Sequence, residues 1–155
     1  MLSSAIFSSL HLLALAIGLP GIFLRGRALG AVQAGPAALP QVFAADNAWG
    51  IAALLWGVTG LARAFGPFEK GSAYYLHSGA FWLKMALFLA ILLLEIAPMV
   101  TLIRWRIRQA KGQPIDLKPA RVFQSISRVQ LALLLAMPFV ASAMARGLGF
   151  ALGPG

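Results

Sequence analysis

The sequence predicts an all-α membrane protein, a bundle of four transmembrane helices, on three observations. Hydrophobic residues make up 60% of the 155 positions and charged residues only 11%. Mean hydropathy is +0.83, far above the balance of an ordinary soluble domain. The apolar residues gather into four segments, each near the ~20 residues that a helix needs to cross hydrocarbon. Together with short connections these segments occupy nearly the whole chain, so residues 1–155 read as one integral-membrane domain.

The first span covers residues 3–24. Its apolar run exceeds the core of a secretory leader, the first basic side chain (Arg25) follows the run instead of preceding it, and no small-residue cleavage site follows. The segment is therefore expected to stay as a membrane helix. Residues 25–41, rich in Gly, Ala and Pro, read as a connector. The second span covers 42–65. It is the weakest, with an uninterrupted apolar run of only 48–62. Gly66-Pro67 and Gly71-Ser72 mark turns in the next connection, and Tyr74 and Tyr75 suit an interfacial aromatic belt. The third span covers 80–103. After it, Gly112 and Pro114 break the helix, and Asp116 and Pro119 mark the start of the next. The fourth span covers 121–144. Its first turns carry Val122, Phe123, Ile126 and Val129 on one side, so it should enter the membrane obliquely. The Gly-rich tail after it should fray.

The basic residues set the orientation. The side that would hold both termini and the second connection carries Arg63, Lys70 and Arg146. The side with the first and third connections carries nine: Arg25, Arg27, Arg104, Arg106, Arg108, Lys111, Lys118, Arg121 and Arg128. Basic loops stay cytoplasmic, so both termini are expected in the periplasm of a bacterial inner (plasma) membrane. The net charge of +9 is thus loop charge, and no nucleic-acid-binding module is recognisable. With no cysteine, disulfides, thiolate metal sites and iron–sulfur clusters are excluded.

The functional candidates are polar groups within the spans. An ionised side chain at the bilayer centre costs at least about 2.5–3.5 kcal/mol, so such residues face the bundle and find partners there. His11 lies in the first span, Asp46 in the second, Lys84 and Glu95 in the third. At about 1.5 Å of rise per residue, His11 and Lys84 fall in an outer layer. Asp46, Glu95 and arginines 25, 27 and 128 fall in an inner one. His77, Lys84 and Glu95 are spaced by two and three helical turns and so share one stripe. Snorkelling of the long side chains toward the two surfaces is the structural alternative.

Three roles are open to His11: a packing residue bonded across the bundle, a porphyrin ligand, or a proton relay. Neutral imidazole is a common haem ligand, and the cores of four-helix bundles hold such cofactors. His77 should sit about 10 Å above His11, which argues against a bis-histidine haem. A single-histidine haem b, with His11 on the iron and Arg25 or Lys84 near the propionates, fits the layout better; His77 is the weaker candidate. Gly50, Gly57 and Gly60 favour close helix packing and are small enough to leave a slot for a macrocycle. The scattered methionines read as core filler, and no hydrolase triad is present.

Through Asp46, Trp49-Gly50, Gly60, Arg63, Lys70-Gly71, Tyr74-Tyr75, Phe81, Lys84, Leu87-Phe88 and Arg104-Trp105 the chain resembles a bacterial membrane-protein family known as domain of unknown function 2214. His11 and Ala145-Arg146-Gly147 extend the likeness over most of its length. More distantly, a histidine in span one, Arg25 just after it and Trp82-x-Lys84 opening span three are similar to the four-helix membrane protoporphyrinogen oxidases. That likeness implies haem and electron transfer from a porphyrinogen. Those enzymes carry further histidines, and span four here has none. The leading expectation is accordingly a porphyrin- or haem-associated redox protein with a redox partner. A proton-coupled transporter using Asp46, Glu95 and Lys84 is the first alternative. An accessory subunit, in a homo-oligomer or a larger membrane complex, is the second.

Overall fold

The computed structural model describes residues 2–65 and 77–146. Four helices account for most of them: α1 (Leu2–Val32), α2 (Leu39–Phe65), α3 (Gly79–Ala110) and α4 (Ala120–Ala145). Each is long and apolar enough to cross a membrane. The expected turns at Gly66-Pro67 and Gly71-Ser72, the tyrosine belt at Tyr74 and Tyr75, Lys70 and the glycine-rich tail lie outside the described residues.

The helices overrun the expected spans mainly at one end of the bundle. α1 continues past residue 24 through Arg25 and Arg27 to Val32, so these arginines belong to a helix and not to a connector. α3 likewise runs on to Ala110. There it ends in a Schellman motif: Gln113 N–H donates to the Arg108 carbonyl and Gly112 N–H to that of Gln109. Gly112 has φ 64°, which a side chain would strain. A 3₁₀ turn, Pro36–Ala38, leads into α2. Asp116 accepts the Lys118 N–H ahead of α4.

α1 packs along α2 and α4, and α4 along α3, while the backbones of α2 and α3 stand further apart. The core comes in two pieces. One, with Leu29, Val32, Val42, Leu102, Trp105 and Phe123, lies where α1 and α3 end and α2 and α4 begin; we call this the loop end. The other, with Ala14, Ile22, Trp49, Trp56, Ile91 and Leu134, lies toward the opposite, termini end. Outward positions are just as apolar: Leu54 is 71% exposed and Phe139 78%. An apolar outside around an equally apolar inside is what lipid solvent requires.

Candidate functional site

Between the two core pieces the four helices meet in a polar cluster. Its members come from the same 3–4-residue periodicity that builds the core. In α1, Arg25 follows Ile22 and precedes Leu29; in α3, Glu95 stands between Ile91 and Pro98; in α4, Ser127 and Gln130 stand between Phe123 and Leu134. Every inward row therefore runs apolar, polar, apolar, and the polar rungs share one level.

Arg25 is the hub. Its side chain is fully buried, and every guanidinium nitrogen is engaged. Nη1 donates to Asp46 Oδ1 at 3.0 Å and Glu95 Oε1 at 2.5 Å. Nη2 donates to Glu95 Oε2 at 2.7 Å and Gln130 Oε1 at 2.9 Å, and Nε to Ser127 Oγ at 3.4 Å. The two contacts to Glu95 form the parallel fork that a planar guanidinium makes with a carboxylate. Glu95 Oε2 also accepts from Trp49 Nε1 (3.0 Å) and Gln130 Nε2 (2.8 Å). A second arginine completes the charge balance. Arg106 Nη2 donates to Asp46 Oδ2 at 2.8 Å and to the Phe43 carbonyl, its Nη1 donates to Asn47, and its guanidinium stacks over the Phe43 ring. Two cations and two carboxylates cancel, with donors filling both acids. Such saturation leaves little for acid–base chemistry and suits a clasp across all four helices.

A cavity of about 70 Å³ lies toward the termini end. His11 of α1, Trp56, Gly60 and Arg63 of α2, Lys84 of α3 and Met137 of α4 are among its walls. His11 stacks on Trp56 with ring centroids 5.6 Å apart, and its Nδ1 lies 2.9 Å from Thr59 Oγ1. That hydroxyl is 2.7 Å from the Leu55 carbonyl, a separation that requires it to donate there. The Thr59 proton is thereby committed, so Nδ1 must donate to Thr59, and in the neutral ring Nε2 carries the lone pair.

The expected outer and inner layers thus correspond to two places. His11 and Lys84 line one cavity; Arg25, Asp46 and Glu95 meet in one cluster. Lys84 and Glu95 both face inward, as the stripe predicts, whereas His77 lies exposed just ahead of α3. Of the inner-layer arginines only Arg25 joins the cluster: Arg27 and Arg128 are exposed on the same helices, Arg27 lying over the Phe23 ring, and the second arginine of the cluster is Arg106. Arg106 reads in sequence as one of many loop charges, since the length of α3 is hidden by its basic end. The other omissions, Trp49, Ser127, Gln130 and Thr59, carry no formal charge. The signal that could have found the α4 pair is their register with Phe123, Leu134 and Met137.

These residues do not fit a porphyrin. A cavity of about 70 Å³ is too small to enclose a porphyrin macrocycle. Arg25 is held by two carboxylates, which removes it as a propionate partner. A Cβ on Gly60 would lie 3.3 Å from His11 Cε1, so this glycine lets the imidazole pack against α2 and opens no slot.

A family model described as a predicted membrane protein, DUF2214, matches residues 3–149. No curated protein and no solved structure matches the chain. The match takes in all four helices, the clasp and the cavity, and on that extent the chain belongs to the DUF2214 family of predicted membrane proteins.

Proposed function

We propose that the protein is a small permease of the bacterial inner membrane, which takes a small molecule into the His11–Lys84 cavity and closes its other half with the Arg25 clasp. One observation carries the reading: an accessible cavity in one half of the bundle stands in series with a charge-balanced cluster that ties all four helices in the other. Both termini are periplasmic on this reading, which makes the cavity periplasmic. The charge count supports it even after Arg25 and Arg106, which are bound by carboxylates, are set aside; seven basic residues then oppose three. The cavity walls favour an anion with an apolar body, since Arg63 and Lys84 join Trp56, Phe88 and Met137.

The absence of native cysteine makes the test direct. A thiol introduced as Met85→Cys, on the cavity wall, should react with a membrane-impermeant maleimide applied from the periplasmic side, and hexanoate should slow the reaction. A thiol that labels only from the cytoplasm, or at a rate hexanoate does not change, would overturn the reading.

A second reading, a subunit of a larger assembly or a homo-oligomer, has one feature in its favour. A groove of about 820 Å³ between α1 and α2 faces outward and is walled by small residues, among them Ala16, Gly21, Ala44 and Ala48. Small residues let a neighbouring helix approach closely in lipid. Proximity crosslinking at Ala44→Cys, between copies or to another membrane protein, tests it.

A further inference from the structure

The outward groove between α1 and α2 is a fixed trough with a definite length. Gly21, Ala28 and Ala45 are buried along its floor, and Ala16, Ala31 and Ala44 are exposed along its rims. Behind it the two helices pack tightly, since a Cβ on Gly21 would stand 3.0 Å from the Trp49 backbone nitrogen. Small side chains over a closed helix pair make the trough, not a gap between helices. From Ala16 to Ala31 it runs about 22 Å along α1, at ~1.5 Å of rise per residue. One leaflet, half of a bilayer of about 40–45 Å with its headgroups, is as deep. Toward the termini end the same helix rows continue as Leu12, Leu13 and Ile51, which are 65%, 50% and 64% exposed and end the trough near the middle of α1. A neighbouring spanning helix would have to pass these side chains. An acyl chain of one leaflet ends where the trough ends.

The loop end of the groove is positive. Arg27 lines it and is exposed, its guanidinium 6.0 Å from the Phe23 ring centroid, and among the described residues it meets no carboxylate. Asp46 and Glu95 are already engaged by Arg25 and Arg106. Gln41 adds an exposed amide to the same wall. Beside it, α2 is entered through a turn whose N-cap, Gly35, makes no side-chain hydrogen bond, so the positive end of the helix dipole lies near Ala38, another groove residue. A guanidinium with an amide beside it complements a phosphodiester, which accepts charge-assisted hydrogen bonds from both.

We infer that the groove binds one anionic phospholipid of the leaflet at the loop end, with its phosphate at Arg27 and Gln41 and an acyl chain laid along Ala28, Ala45 and Gly21 toward Ala16. The inference stands apart from the permease reading, because it uses neither the His11–Lys84 cavity nor the direction in which the chain crosses the membrane.

The test uses full-length protein in mild detergent, with phosphatidylglycerol or phosphatidylcholine of identical acyl chains added, and native mass spectrometry to count the lipid retained. One phosphatidylglycerol should be held about fivefold more tightly than phosphatidylcholine, a difference of ~1 kcal/mol, as expected for one arginine at an anionic lipid surface. Arg27→Gln should abolish that preference. Arg108→Gln, at an exposed arginine outside the groove, should preserve it. Ala44→Leu, which fills the trough from an exposed position, should lower retention of both lipids. Equal retention of the two lipids by native protein, or unchanged retention in Ala44→Leu, would overturn the inference. Equal effects of the two arginine substitutions would overturn it too, in favour of diffuse loop-end charge. A crosslink between copies through Ala44→Cys in phosphatidylglycerol-containing vesicles would give the groove to a second copy of the chain and likewise overturn it.

Discussion

Arg25→Met is the most informative single change, because the structure says what it leaves behind. Native, the cluster is neutral: Arg25 and Arg106 face Asp46 and Glu95. With Arg25 gone, Glu95 loses its forked partner and keeps only the Trp49 and Gln130 donors, while Asp46 keeps Arg106. A net negative charge then remains among groups that are 16% and 17% exposed. Removing one partner of a buried ion pair costs about 3–5 kcal/mol, and we expect a value in that range. Arg25→Lys should fall between, since an ammonium restores the charge without the fork. Arg108→Met, at an exposed position near the end of α3, should cost under about 0.5 kcal/mol. The decisive arm is Arg25→Met with Glu95→Met, which returns the cluster to neutrality through Asp46 and Arg106. The double variant should therefore be less destabilised than the sum of the singles by about 2 kcal/mol. Equilibrium unfolding from mild detergent into dodecyl sulfate, followed by circular dichroism, measures all four. A single-variant loss below about 1 kcal/mol, or strict additivity in the double, would refute the clasp.

Other outcomes follow from the same geometry. Gly21→Ala should lower stability by about 1–3 kcal/mol, because its Cβ would stand 3.0 Å from the Trp49 backbone nitrogen, which cannot yield; Gly50→Ala, with nothing within 4 Å, should be nearly neutral in the same unfolding assay. Thr59→Val should cost about 1 kcal/mol through the lost His11 and Leu55 bonds, and should let the imidazole change tautomer, visible in its ¹⁵N shifts. Protein made with ample haem supply should purify without a Soret band; a stoichiometric b-type spectrum lost in His11→Ala would overturn the fit argument made from cavity size and from the pairing of Arg25. A periplasmic reporter should be active when fused at the C-terminus and silent when inserted near Lys111; the reverse would invert the proposed orientation.

Much of the fold was legible because lipid imposes a simple rule. Apolar runs near twenty residues become spanning helices, and the four expected spans correspond to the four helices. The helix ends were less legible. Arg25, Arg27, Arg104, Arg106 and Arg108 look like loop charges, yet α1 and α3 carry them on helical backbone. The depth argument separated His11 and Lys84 from Arg25, Asp46 and Glu95, since rise per residue needs no tertiary knowledge. It could not show that Arg25 bridges both carboxylates, because that depends on how the helices are rotated about their axes. Rotation is encoded by which small and large residues face inward, and with both faces apolar the inward row is hard to tell from the outward one. Gln130 illustrates this: one polar residue in an apolar run has an obvious depth and no obvious partner until α3 is packed beside it.

The central claim is that the clasp separates a periplasmic cavity from the cytoplasmic half of the bundle, and thiol accessibility on its two sides tests that most directly. Met85→Cys lies on the cavity wall, and Val42→Cys is fully buried beyond the clasp in the loop-end core. Both would be measured in right-side-out vesicles with an impermeant maleimide, with and without Arg25→Met. The account predicts that Met85→Cys reacts in either background, while Val42→Cys reacts only when the Arg25 hub is gone. Reaction of Val42→Cys in the intact clasp, or protection of both thiols in every background, would contradict it.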